Sequence, residues 1–269
     1  MAIEGRIAIL GGGNMGSALV KGLIAGGAAA AGQIVVAEKL AAQAEKLRQE
    51  LGVTVVDQPA AVGAVDTLIV AVKPQDFDPA VSSLAGALHP EALVITLAAG
   101  VTLGRLAGLL PACPHLVRAM PNTPALVGQG VTALAPAAGL PDSLLERAKA
   151  VFAAVGQVVT TKEALMDAVT GLSGSGPGYA FLFMEALIDA GVAVGLDRPT
   201  ARTLAVGTVA GAAQLIMQSG QHPAALKDMV TSPAGTTITG LKVLERGGLR
   251  GLVMEAVAAA TARSREMGG

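Results

Sequence analysis

The sequence predicts an α/β fold in two parts. A doubly wound parallel sheet occupies residues 1–161, and an all-helical domain occupies residues 162–269. Three observations predict it. Short β-branched runs alternate with amphipathic segments through the first half, the pattern of a parallel sheet covered by helices on both faces. A glycine-rich turn joins the first run to the first helix. From Glu163 onward no strand-like run appears, and apolar residues recur at helical spacing.

The elements follow in order. Residues 6–10 read as the first strand and 15–25 as the first helix. Residues 33–37 form a second strand, 41–51 a helix with Glu45, Lys46, Arg48 and Glu50 outward, and 53–56 a third strand. Residues 66–72 form a strand apolar on both faces, as a central parallel strand must be. Residues 93–98, 115–120, 131–135 and 157–160 complete the sheet. In the second half, Phe181, Met184, Ile188 and Val192 mark one helix face. Leu204, Thr208, Ala212 and Leu215 mark another, and Leu252, Ala256 and Ala260 a third. Asp197-Arg198-Pro199 reads as a helix start, and Gly207 with Gly211 as a place where two helices pack closely.

Composition narrows the partners. The formal net charge of −1 gives nucleic acid no electrostatic footing. Hydrophobic residues make up 52% and charged residues 14%, so part of the surface is expected to be buried between subunits. The longest uncharged stretch, 203–226, is broken by Gln218-Ser219-Gly220-Gln221-His222-Pro223, which leaves too few apolar residues to span a bilayer needing about 20. The N-terminus leads straight into a strand without the layout of a signal peptide, so a cytoplasmic protein is expected. Cys113 is the sole cysteine and the three histidines are scattered, so no metal site is expected.

Two segments carry the chemistry. Gly11-Gly12-Gly13-Asn14-Met15-Gly16 fits G-x-G-x-x-G between a strand and a helix, the context of a Rossmann-type dinucleotide site. Gly11 permits the tight turn, Gly13 admits the pyrophosphate, and Gly16 lets helix and strand pack. Glu38 ends the second strand, 22 residues after Gly16, where an acid accepts ribose hydroxyls. Such an acid favours NAD(H), yet Lys39 beside it could serve a 2′-phosphate, so the cofactor's phosphorylation state stays open. Ala71-Val72-Lys73-Pro74 and Ala98-Ala99-Gly100 end the next two strands, where ligands of such sheets lie. The second segment is Thr231-Ser232-Pro233-Ala234-Gly235-Thr236-Thr237, a turn opening a helix over 238–245. Thr236 or Thr237 could cap that helix, whose free N–H groups would attract a small carboxylate.

The chain resembles pyrroline-5-carboxylate reductase over essentially its whole length. The most specific part runs from Leu226-Lys227-Asp228-Met229-Val230 through Thr231–Thr237 to Leu244-Glu245. The glycine turn, Val72-Lys73-Pro74, Met120-Pro121-Asn122-Thr123-Pro124 and Leu172-Ser173-Gly174-Ser175-Gly176-Pro177-Gly178-Tyr179 support it in the family's order. The resemblance implies reduction of 1-pyrroline-5-carboxylate to L-proline by NADPH, or NADH, in a homodimer or larger homo-oligomer joined through the helical domain. It implies cofactor contacts at Leu10, Gly11, Gly12, Gly13, Asn14, Met15, Glu38, Gln58, Ala71, Val72, Lys73, Pro74, Ala98, Ala99 and Gly100. It implies that Gly235, Thr236 and Thr237 hold the imino acid. The chain departs from the family at Gln58 (often Asn), Ala234 (usually Gly) and Gly178 (commonly Ala).

The expected chemistry asks little of the protein. A protonated cyclic imine accepts a hydride readily, so the protein must align the partners and stabilise the iminium. The Thr237 hydroxyl is the candidate to bond the ring nitrogen, with a helix cap as its other possible role. Ser175, in a polar break between apolar helices, is expected to line the substrate cleft. Two other readings stand beside this one. A β-hydroxyacid dehydrogenase would need a helix lysine where the Ser-Gly break has none. A dinucleotide-binding scaffold would have no use for the 231–237 turn.

Overall fold

The computed structural model describes residues 2–84 and 86–268. The first half alternates as expected: β1 (Ile7–Leu10), α1 (Asn14–Ala25), β2 (Ile34–Ala37), α2 (Ala41–Leu51), β3 (Thr54–Val56), β4 (Thr67–Val70), α3 (Pro74–Ser82), β5 (Leu93–Thr96), α4 (Leu103–Leu109), β6 (Leu116–Met120), β7 (Gly130–Pro136), α5 (Asp142–Ala153) and β8 (Gly156–Thr160). The rest is helical: α6 (Met166–Val169), a π turn over Thr170–Gly174, α7 (Gly176–Ala193), α8 (Arg198–Ser219), α9 (Pro223–Met229), α10 (Thr236–Arg246) and α11 (Leu249–Gly268).

The eight strands make one sheet in the order β3-β2-β1-β4-β5-β6-β7-β8. All neighbours are parallel except β6 and β7, which pair antiparallel with Ala119 opposite Leu134. The expectation of a wholly parallel sheet fails there for a simple reason. Residues 121–129 contain only a 3-10 turn, too short a link for the crossover that a parallel pair requires.

Alternation along the strands sorts the core into two layers. Ile7, Ile9, Val36, Ile69 and Ile95 face α1, α2 and α5 and pack with Leu19, Leu23, Leu47 and Phe152. Ala8, Leu10, Val35, Leu68, Val70 and Val94 face the other way and pack with Phe77, Val81 and Leu106 of α3 and α4. The central strands β1 and β2 are apolar and buried at every position because both faces are covered. The order of the strands reverses at β1, which sends one crossover toward β2 and the other toward β4. That leaves a crevice beyond their carboxyl ends.

The chain divides into two compact units. One comprises residues 1–175 and 258–269, the other residues 176–257. The last strand ends at Thr160, so element type changes near residue 162, whereas compactness changes near residue 176. Within the second unit α7 and α8 approach closely at Gly191, where a Cβ would stand 2.9 Å from that of Ala201. Gly207 and Gly211, the pair expected to mediate close packing, have no neighbour within 4 Å of where a Cβ would be.

Candidate functional site

Two helix starts hold the expected chemistry, one in each unit. The first is the turn from β1 into α1. Gly11 adopts φ +97°, and a side chain there would stand 2.8 Å from the Ala71 carbonyl oxygen, so both angle and space require glycine. The Gly12 peptide is gripped at both ends. Its N–H donates to Glu38 Oε2 at 2.9 Å, and its carbonyl accepts from Ser17 Oγ at 2.7 Å and Gln43 Nε2 at 2.6 Å. Gly13 caps α1 through its backbone alone, with no side-chain cap, and open space lies where its Cβ would be. The first N–H groups of α1 therefore lack helical acceptors beside an open approach, which is the setting of an anion site. Ser17 and Gln43 were missed in the sequence, because no motif marks a residue that grips a turn from the side.

A cleft of about 750 Å³ opens at the ends of β1, β2 and β4. Of the expected cofactor residues, Leu10, Gly11, Gly13, Glu38, Gln58, Ala71, Val72 and Lys73 line it. Gly12 lies in the turn, Asn14 and Met15 open α1, and Pro74 opens α3 directly after Lys73. Ala98, Ala99 and Gly100 follow β5 and do not line this cleft. Gly100 instead meets the end of α11, where a Cβ would lie 2.9 Å from the Met267 carbonyl oxygen. That end of α11 is tied down by buried Ser264, whose hydroxyl donates to Asp167 Oδ1 at 2.8 Å. Asp167 in turn lies 3.5 Å from the guanidinium of buried Arg118 on β6.

The second helix start is the turn into α10. The Thr231 hydroxyl donates to the Lys227 carbonyl at 2.6 Å, and the Gly235 N–H donates to the Ser232 carbonyl at 3.1 Å. Ala234 sits at φ 56°, the one non-glycine residue with positive φ among the described residues. Such a conformation costs an L-residue roughly 1–2 kcal/mol. Gly235 caps the helix with no side-chain bond, and α10 begins at Thr236. Neither threonine is the cap that the sequence allowed, because the helix starts two residues earlier than the expected 238. The Gly235 N–H is engaged within the turn and the Thr239 N–H bonds back to the Gly235 carbonyl, so the N–H groups left without acceptors are those of Thr236, Thr237 and Ile238. The Thr237 hydroxyl is half-buried and has no hydrogen-bond partner among the described residues.

Ser175 closes the π turn, donating its N–H to the Thr170 carbonyl at 2.8 Å. Asn122 steadies that turn by donating to the Ser173 carbonyl at 3.2 Å while accepting the Val131 N–H at 2.9 Å. Single π turns of this kind recur at functional sites. Among the described residues no cluster of His, Cys, Asp and Glu has the makings of a metal site. Burial pushes the Cys113 thiol pKa up, away from reactivity.

Comparison with known proteins decides the family. Residues 163–267 match the model described as pyrroline-5-carboxylate reductase dimerisation, and residues 6–100 match that described as NADP oxidoreductase, coenzyme F420-dependent. The chain is 47% identical to the pyrroline-5-carboxylate reductase of Synechocystis over 98% of both chains. The chain belongs to the pyrroline-5-carboxylate reductase family. The Escherichia coli pyrroline-5-carboxylate reductase is 38% identical over 98% of this chain and 99% of its own. Among solved structures, the Coxiella burnetii pyrroline-5-carboxylate reductase superposes with a TM-score of 0.92 at 36% identity, covering 98% of each chain. That of Plasmodium falciparum, solved with NADP bound, gives 0.88 at 29% identity over 100% of both. The glycine turn lies within the residues matched to the NADP oxidoreductase model, and the α10 turn within those matched to the dimerisation model.

Proposed function

We propose that this chain reduces 1-pyrroline-5-carboxylate to L-proline with a reduced nicotinamide dinucleotide, the last step of proline biosynthesis, as a cytoplasmic homodimer or larger homo-oligomer. One observation carries the reading in a member of this family: the α10 start presents three N–H groups without acceptors, those of Thr236, Thr237 and Ile238, and the unpartnered Thr237 hydroxyl. A cyclic imino acid brings the matching groups, a carboxylate and a ring nitrogen.

The first unit fits a dinucleotide. Open space at Gly13 admits a pyrophosphate to the α1 start, and Glu38 offers acceptors to ribose hydroxyls. The bound cofactor supplies the hydride. The chain's own residues do the rest. The N–H groups of Thr236 and Thr237 hold the substrate carboxylate, helped by the positive end of α10. The Thr237 hydroxyl bonds the ring nitrogen and retains its proton while the carbon is reduced. Holding the reactants in one geometry is the main contribution, on the order of 7–11 kcal/mol at best.

Residues 1–161 serve the cofactor, and residues 162–269 serve dimerisation and the substrate. Large apolar side chains left outward within the helical unit support a second copy as partner: Phe181 is 62% exposed, Leu182 68% and Leu252 61%. Among the described residues, no helix is long and apolar enough to cross a membrane. The test compares oxidation of NADPH and NADH on adding 1-pyrroline-5-carboxylate or a hydroxy acid. Turnover with the imine alone is expected. Turnover with the hydroxy acid alone, or with neither, refutes the reading.

A further inference from the structure

We infer that this chain discriminates against the 2′-phosphate and takes NADH in preference to NADPH, with Glu38 as the residue that decides. The inference rests on the reading of the cleft as a nicotinamide dinucleotide site and goes beyond it.

The geometry around Glu38 is the ground for it. Glu38 ends β2 at the cleft, is 9% exposed, and is fixed from two sides. Oε2 accepts the Gly12 N–H at 2.9 Å and Oε1 accepts the Leu40 N–H at 2.8 Å. Those two bonds hold the carboxylate in place at the cleft. They also leave each oxygen one acceptor position, enough for two hydroxyl donors. A ribose diol supplies two donors. A 2′-phosphate supplies acceptors and negative charge, which meet a fixed carboxylate.

The charges around it do not offset that. Lys39 is the neighbouring cation, but its ammonium is already paired with Asp76 Oδ1 at 3.0 Å. Asp57 and Asp76 line the same cleft, so the described lining holds three carboxylates and two lysines. The other lysine, Lys73, stands just past Ala71, whose carbonyl abuts Gly11, the pyrophosphate end of such a site. A phosphate at the ribose end would therefore meet more negative charge than positive. The arrangement inverts what phosphate recognition uses, which is donors and cations converging on the anion.

The test measures dissociation constants of NADH and NADPH by calorimetry, with no imine present. NADH is expected to bind at least about tenfold more tightly, a modest outcome for like charges near a protein surface. Glu38→Ser is expected to move the ratio toward NADPH by about tenfold or more. Because loss of Glu38 also frees two backbone N–H groups, Lys39→Ala provides a second variant on the exposed rim. It is expected to leave the ratio within about threefold of wild type, since Lys39 serves Asp76. Equal or tighter NADPH binding by the wild type overturns the inference, as does a selective loss of NADPH affinity in Lys39→Ala. Binding of neither dinucleotide overturns the reading of the cleft and the inference with it. NADH preference without turnover of the imine overturns the proposed function alone.

Discussion

The two helix starts look alike in backbone and differ in what holds them. Gly13 and Gly235 each cap a helix in extended conformation, and neither has a side-chain cap. The first turn is gripped from within: Glu38, Ser17 and Gln43 satisfy both ends of the Gly12 peptide. The second is held by bonds within its own segment, from the Thr231 hydroxyl and the Gly235 N–H, carries a strained Ala234, and leaves the Thr237 hydroxyl without a partner. The difference separates two ways of making an anion site. The α1 turn is preorganised by the fold, so a dinucleotide bound there, as proposed, would enter a finished shape. The α10 turn keeps its polar groups unmatched, so the imino acid proposed for it would complete it.

The largest test of that contrast is Gly11→Ala. A methyl group at φ +97° against the Ala71 carbonyl forces the first turn apart. Dinucleotide affinity is expected to fall at least about 100-fold by calorimetry, the free-energy equivalent of a strained residue plus a displaced backbone. Next is Thr237→Val. Turnover is expected to fall on the order of 100-fold, as for other losses of a positioned proton partner. The melting temperature should hold within about 2 °C, because no internal bond is removed. A drop in melting temperature with near-normal turnover would show that the hydroxyl serves the fold.

The third is Gln43→Ala. It removes one of the grips on the Gly12 carbonyl and is expected to cost about 1 kcal/mol in denaturant unfolding, with weaker dinucleotide binding. The smallest is Ala234→Gly, which relieves the positive φ at the second turn. Relief of about 1–2 kcal/mol is offset by glycine's entropy of about 0.5–1, so a gain of no more than about 1 kcal/mol is expected in the same assay. Destabilisation by this change would contradict the strain at Ala234.

The sequence disclosed these two regions unequally, for physical reasons. All eight strands were legible as short β-branched runs, and the central ones most plainly, because a strand covered on both faces is apolar throughout, as Ile7-Ala8-Ile9-Leu10 is. The reversal of β7 was not, since it depends on the length of a link rather than on strand composition. Gly11 and Glu38 were legible through their spacing, which reflects how the chain passes from β1 through α1 to the end of β2. Ser17 and Gln43 were hidden, because their partner is a backbone carbonyl that no pattern marks. The same holds for Ser264 and Asp167, which meet across long sequence separation. At the second turn, proline, glycine and threonine announced a helix start, but its register was read two residues late. Threonine is a common cap, and here glycine takes that place.

The central claim is that the α10 start waits for the carboxylate of an imino acid. The most direct measurement follows backbone amide resonances of the whole protein during titration with L-proline, the product of the proposed reaction. The account predicts that the Thr236 and Thr237 amides show the largest shifts and gain protection from exchange, while the amides of residues 11–16 stay in place. Proline binding that moves other amides and leaves Thr236 and Thr237 unchanged would contradict it.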